Sequence, residues 1–446
     1  MSWFNRLLGT ESTEPGVASV RSVKFDTTGL RVESRSPDRV EWRPLWGEPI
    51  VGTVTHQAAD ASPTTLDIDE LRARYRADAM ARGGGLVSAE VVQAGSLPAV
   101  GAVTKFRDGM GYAYEGTLAV PLRDAWWTLS RSFREEGTTG VREAVVTGHL
   151  LNRGVLQPPL GPAGSGPLPI EGFSLDPYDP ASDDLALCSV CDDERFDDLF
   201  PKHPLTQTRS WLRAVVKTLS VEEGVWPDPI PTPPPLQPET RVGDRVPLSA
   251  IGMLYFMFQK VEAAEVWLSQ AVPTTNGEPD MSDPATAETL VPLGLAREYL
   301  GQYAAADWAL TRAYRMYKAA VGDDDLRTVR VMSNMARVWV LLNRHKEARP
   351  LLEQALAVLA LRGTSSEVGV TANDLGLAEH AAGHHRRAIE LFEEALARFE
   401  QAEKETGKFI PDRATVLNNL ANALEAAGVH HQAAAARARA KKVLQR

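Results

Sequence analysis

An α+β domain built on an antiparallel sheet, joined by a proline-rich linker to an all-α repeat array, is the fold class this sequence predicts. Three observations predict it. A proline-rich run, Trp226-Pro-Asp-Pro-Ile-Pro-Thr-Pro-Pro-Pro-Leu-Gln-Pro238, divides the chain, and seven of its twelve residues from position 227 onward are proline. Such a run lacks the backbone donors that regular structure needs and forms a stiff, extended spacer. Upstream, apolar residues alternate, as in Val20-Arg-Ser-Val-Lys-Phe25 and Tyr112-Ala-Tyr-Glu-Gly-Thr-Leu-Ala-Val120, the signature of half-buried strands. Downstream, nearly every segment has helical spacing. The expected division is a flexible N-terminus at 1–18, the α+β domain at 19–225, the linker at 226–244 and five helical hairpins at 245–446.

Taken in order, strands are expected near 19–26, 29–34, 39–44 and 50–55. A helix over 67–82 stops at Gly83-Gly-Gly85, since glycine commonly ends helices. Further strands follow near 86–93, 100–107, 111–120 and 125–134. After Gly140 comes a short helix or strand, then a loop at 157–169, then a helix near 205–219. Consecutive strands joined by short turns favour an antiparallel sheet covered by helices. This half loosely resembles the Mog1/PsbP-like sandwich. Trp126 and Trp127 fall on opposite faces of one strand, so one of the pair is a candidate exposed binding residue, whereas Trp211 reads as core.

From about residue 245 the chain repeats itself. Apolar residues lead each unit at Ile251, Leu293, Met335, Leu375 and Leu420, at spacings of 42, 42, 40 and 45. A small residue follows each: Gly252, Gly294, Ala336, Gly376 and Ala421. Turn positions fall at Gln259, Gly301, Asn343, Gly383 and Gly428, and alanine stands five residues later in every unit, from Ala264 to Ala433. A second alanine recurs from Ala271 to Ala440. Two helices approach closely only where side chains are tiny, so these positions set the hairpin contact. Leu268, Leu310, Leu352 and Phe392 are then expected to fill the space towards the next hairpin. One hairpin cannot bury its apolar face alone, so the units stack. Arg437 replaces the large apolar residue in the fifth unit, as suits a terminal cap with a wet face.

These residues resemble the tetratricopeptide repeat, whose signature is a small residue in the first helix, glycine at the turn and two alanines in the second helix. The pitch and the Leu417-Asn-Asn-Leu-Ala421 sequence are most similar to the kinesin-light-chain-type variety. The first unit departs from the family by lacking the turn glycine. The resemblance implies a right-handed superhelix whose concave face binds peptide segments of protein partners through polar first-helix residues, often Asn with nearby Lys or Arg. The matching positions are Asn334 and Asn419; Pro292 and Asp374 take that place in their own units, where the carry-over fails. Arg330 and Arg337 flank Asn334 on one helix face, and Asn373, Asn418 and Asn422 add donors along the same side.

Other chemistry reads as weak. The balance of 48 basic and 58 acidic residues, net −10, argues against nucleic-acid binding, which depends on clustered cations. No apolar run approaches the roughly 20 residues of a spanning helix. Met-Ser-Trp-Phe-Asn-Arg-Leu-Leu-Gly at the N-terminus lacks the apolar core of a secretion signal, so a cytoplasmic location is expected. Cys188-Ser-Val-Cys191 could be redox-active or half a zinc site, but it sits in what reads as a strand, is followed by acids, and has no second pair. Packed cysteines are the plainer reading. Nine acidic residues between Asp176 and Asp198 read as a solvated loop or a docking surface for a basic partner; the spacing is not that of an EF-hand. Glu136-Gly-Thr-Thr-Gly-Val-Arg142 lacks the phosphate-loop spacing. His384-His385 and His430-His431 diverge around a helix and read as packing residues. The expectation is a non-enzymatic scaffold or adaptor binding a partner peptide, with no cofactor or metal. The alternative is an enzyme or thiol-redox sensor in the first half, regulated or localised by the repeats.

Overall fold

The computed structural model describes residues 18–45, 47–56, 66–95, 97–108, 111–135, 140–156, 188–222, 225–227, 246–275 and 278–445. The expected flexible N-terminus (except residue 18), the 157–169 loop, most of the proline linker and the first part of the acidic stretch lie outside them. The chain forms two compact units, Met1–Ala250 and Ile251–Arg446.

The first unit is built on one antiparallel sheet of seven strands. They are β2 (Leu30–Arg35), β3 (Arg39–Pro44), β4 (Ile50–His56), β5 (Gly84–Ala94), β6 (Leu97–Asp108), β7 (Gly111–Pro121) and β8 (Ala125–Arg134). Their spatial order is β2-β3-β4-β8-β7-β6-β5, so every connection but β4 to β5 is between neighbours. That crossover contains α1 (Ile68–Ala81), whose N-cap Asp67 accepts from the backbone of Asp69 and Glu70, a pairing that satisfies orphan donors of the first turn. The segment at 19–26 is less regular than its alternation suggests. Only β1 (Val23–Lys24) pairs, with β9 (Ser220–Val221).

The side-chain period of two explains the two covered faces. Trp127, Leu118 and Val120 pack with Leu205, Leu212 and Val215 of α3 (Pro204–Thr218) in the main core. Trp126, Ala119 and Val100 pack with Leu66 and partly buried side chains of α1 on the other side. Neither tryptophan is therefore exposed, which corrects the expectation of a binding residue there. Position 141 onward is helical, forming α2 (Val141–Asn152).

The second unit is a series of five antiparallel helix pairs. They are α4 (Leu248–Met257) with α5 (Val261–Ala271), α6 (Pro284–Tyr299) with α7 (Tyr303–Val321), and α8 (Leu326–Leu341) with α9 (His345–Arg362). α10 (Ser365–Ala381) with α11 (His385–Thr406), and α12 (Asp412–Ala426) with α13 (His430–Leu444), follow. A two-residue hairpin, β10 (Thr274–Thr275) with β11 (Glu278–Pro279), joins the first two pairs. All five turn positions have positive φ, including Gln259 at 57° and Asn343 at 60°. Each carries the same two bonds, as at Gly301, where its N–H donates to Glu298 O and the Gln302 N–H donates to Arg297 O. This pattern is the Schellman motif, which satisfies carbonyls the helix end would otherwise leave bare.

The large second-helix residues pack onto the small residue of their own hairpin, and Leu352 and Phe392 also belong to cores shared with the first helix of the next pair, α10 and α12. A Cβ added at Gly252 would stand 2.6 Å from Leu268 Cγ, and one at Gly294 equally close to Leu310 Cγ. Helix contact at that spacing is what the small residues permit. Arg437 is exposed on the last helix and bonds Asn422 and Glu425 of α12.

Candidate functional site

The first helices of the pairs turn one side towards a shared cavity of about 340 Å³. Three of them contribute the same pattern: Leu295, Glu298 and Tyr299 from α6, Val370, Asn373 and Asp374 from α10, and Asp412, Thr415 and Val416 from α12. Each set has the i, i+3, i+4 spacing that places side chains on one helix face. Phe256 of α4, Arg337 of α8 and Phe399 of α11 complete the lining. The orientation of α10 follows from its glycines. A Cβ at Gly369 would lie 2.9 Å from the Phe399 ring and one at Gly376 2.7 Å from the Phe392 ring, so α10 sits flush on α11 with Asp374 turned to the cavity.

The polar groups of this lining are partly paired. Arg337 Nη2 donates to Glu298 Oε2 at 2.7 Å, and Asn373 Nδ2 donates to Asp374 Oδ1 at 3.2 Å. Asn419 Nδ2 donates to Asn373 Oδ1 at 2.9 Å. Asp374 is 3% exposed, and among the described residues its Oδ2 and Arg337 Nε have no hydrogen-bond partner. Burial pushes the Asp374 carboxyl up to about 7, with the Arg337 charge only partly opposing it. That guanidinium is already engaged by Glu298.

The structure therefore brings together Arg337, Asn373 and Asn419 of the residues singled out from sequence. The others lie apart. Arg330 Nε donates to Glu367 Oε1 at 2.5 Å in an exposed pair, and Asn334 is half-buried but not part of the cavity wall. Asn418 is exposed, and Asn422 is exposed and accepts from Arg437. Glu298, Asp374 and Asp412 are the functional candidates that sequence reasoning passed over. The signal that finds them is the repeated i, i+3, i+4 triple mixing apolar with acidic residues on first helices.

The first unit contains a second polar cluster, and it is interior. Lys105, 1% exposed, donates to Asp192 at 3.0 Å and Glu143 at 3.3 Å. Burial would lower its pKa, but those two carboxylates more than offset this and hold the ammonium charged. Arg142, fully buried, donates to Asp197, Thr206 and the carbonyls of Cys191 and Asp193. The acidic stretch is thus not a solvated loop at its described end: Asp192 and Asp197 are counter-charges of buried cations. The residues from 189 to 192 form no extended strand; Ser189 caps a 3₁₀ turn, Val190–Asp192.

Both thiols are packed. Cys188 Sγ donates to Leu86 O at 3.0 Å, and Cys191 Sγ lies 3.3 Å from Thr147 Oγ1. Burial pushes the Cys191 thiol up to about 11, opposite to what a reactive thiolate needs. Among the described residues, one group of donors has metal-like proximity, namely Glu135, Glu143 and His203. Its chemistry does not fit an ion. His203 Nδ1 accepts from the Leu205 N–H, so in the neutral ring Nε2 carries the proton and has no lone pair for a metal. Burial, reinforced by Arg142, lowers the His203 pKa to about 3, keeping the ring neutral. In the repeats, His384 Nδ1 pairs with Glu379 Oε2 at 2.6 Å and His385 with His380 at 3.2 Å, bridging the ends of α10 and α11.

No curated protein matches this chain. Among solved structures it is similar to BtubC (BKLC) from P. vanneervenii, 20% identical over 46% of this chain and 80% of that one, with a TM-score of 0.37. It is also similar to a putative kinesin light chain with nearly identical TPR-like repeats from Podosopora anserina, 21% identical over 44% of this chain and 93% of the other, TM-score 0.35. MamA from Desulfovibrio magneticus RS-1 is 15% identical over 44% and 93%, TM-score 0.32. Likenesses at this level carry no weight for function. The family model for the tetratricopeptide repeat matches residues 285–360 and 343–401, which span α6 to α11 and leave the sheet unit unassigned. Residues 285–401 of the helical unit are a tetratricopeptide-repeat region.

Proposed function

We propose that this protein is a non-enzymatic, cytoplasmic scaffold whose repeats hold a peptide or loop of a protein partner along the side lined by first helices. Tetratricopeptide repeats support a protein-interaction role, and the cavity among α6, α8, α10 and α12 is the observation that carries the finer reading. It combines apolar walls with a few fixed polar groups, the composition of a ligand site. Asn373 and Asn419 are linked and half-buried, and amides so placed offer both donor and acceptor to an extended backbone. The sheet unit, in this reading, carries the role specific to this protein. The redox alternative is disfavoured because both thiols are buried and burial pushes the Cys191 thiol up to about 11.

Thr415 is exposed and lines the cavity, so Thr415→Trp fills it without disturbing the core. Affinity capture from native lysate with the full chain and with Thr415→Trp tests the proposal. At least one protein is expected to be captured by the first and lost with the second at unchanged melting temperature. Identical captured sets contradict it.

A further inference from the structure

We infer that the cavity takes a cationic side chain, an arginine or lysine of the bound segment, with its head at Asp374 and its stem along the apolar wall. This rests on the reading of the repeats as a peptide-binding face and specifies the peptide. The charge balance carries it. Glu298, Asp374 and Asp412 face the cavity against one cation, Arg337, whose Nη2 already bonds Glu298. Three acidic side chains thus share one guanidinium in the lining.

The hydrogen-bond inventory points the same way. Asp374 Oδ2 is an acceptor on a buried residue without a donor among the described residues. Native structures seldom leave such a group unpaired, because desolvation without a partner is costly. A guanidinium or ammonium supplies the missing donors and the charge together. An apolar side chain would leave Oδ2 bare, and a carboxylate would meet like charge. Arg337 Nε is likewise without an acceptor among the described residues. The volume of about 340 Å³ is near the lower end of ligand cavities, which run roughly 300–1,000 Å³. Long basic side chains lay their methylenes on apolar surface while the head stays in a polar setting, and Leu295 and Val370 offer such a surface.

The test is selection of a randomised heptapeptide library on the full chain, with counter-screening on Thr415→Arg, which supplies the cavity with a cation of its own. The peptides lost on Thr415→Arg are expected to share an arginine or lysine at one position. Replacing that residue by norleucine in a fluorescein-labelled peptide is expected to weaken binding at least tenfold, and by glutamate further. Asp374→Asn is expected to shrink the gap between the parent and norleucine peptides. Asp412→Asn, an exposed substitution that leaves folding alone, is expected to do so more mildly. If the peptides lost on Thr415→Arg lack a basic residue, or norleucine binds within twofold of the parent, the cation inference falls and the peptide-binding reading stands. If no selected peptide is sensitive to Thr415→Arg, the peptide-binding reading falls and takes this inference with it.

Discussion

Asp374 binds its proton more tightly than a free carboxyl does because it is buried and the guanidinium beside it is shared. Facing it are Arg337 of α8, Glu298 of α6, Asp412 of α12 and its neighbour Asn373. Its folded pKa of about 7 lies above the ordinary 3.8, so the folded state binds this proton more tightly than the unfolded chain. The contribution is fully present below the unfolded pKa and is lost as pH rises through about 7. At about 1.4 kcal/mol per unit, the ceiling is on the order of 4 kcal/mol. The urea midpoint of the repeat unit should thus fall between pH 5 and pH 8 in the native protein and stay nearly level in Asp374→Asn; parallel curves would contradict this. The cysteines give a second check at this scale. Ellman's reagent should react slowly with the native chain and with two thiols after unfolding, whereas fast native reaction would refute their packed state. Little of this was legible in the sequence. Asp374 sits where the family places asparagine, and residue type alone does not show that three acids from different helices converge. Arg330 has the right type and spacing but is drawn away by Glu367, a partner 37 residues on.

At the scale of the element, the turns and the hairpin contacts make opposite demands on glycine. Gln259 adopts a left-handed φ of 57°, which an L side chain resists. Gln259→Gly should therefore stabilise the first hairpin by ~0.5–1 kcal/mol, less the entropy glycine adds to the unfolded chain. Gly294→Ala should do the reverse. Helix propensity favours alanine by ~1 kcal/mol, but the added methyl would stand 2.6 Å from Leu310 Cγ, and overpacking of this kind costs ~1–3 kcal/mol. Chemical denaturation of the two variants checks both signs. The hairpins were readable beforehand because these demands fall at fixed sequence intervals. The central strands β6, β7 and β8 were readable because they present alternate residues to two different covers. The 3₁₀ turn at 190–192 was not readable because Cys191 and Asp192 answer to Arg142 and Lys105, more than 40 positions away.

The molecule as a whole joins two units with different kinds of interior. The sheet unit encloses charges in its interior: Lys105, Arg142 and Arg209 are matched to Asp192, Asp197 and Glu143. Breaking one partner strands a buried charge, so Lys105→Met should cost the sheet unit ~3–5 kcal/mol, read from its thermal midpoint; a midpoint within a degree of the parent's would refute the role. The repeat unit instead lines a cavity with half-matched charge. Composition disclosed the two classes of fold and the proline divide, but the sheet unit carries no motif from which its specific role could be read. The central claim concerns the inner side of the repeats, and site-specific photo-crosslinking in native lysate tests it most directly. A photoreactive residue at Thr415, which lines the cavity, should join the chain to another polypeptide, while the same residue at Arg386, exposed on α11, should not. Equal products from both positions, or products from Arg386 alone, would contradict the account.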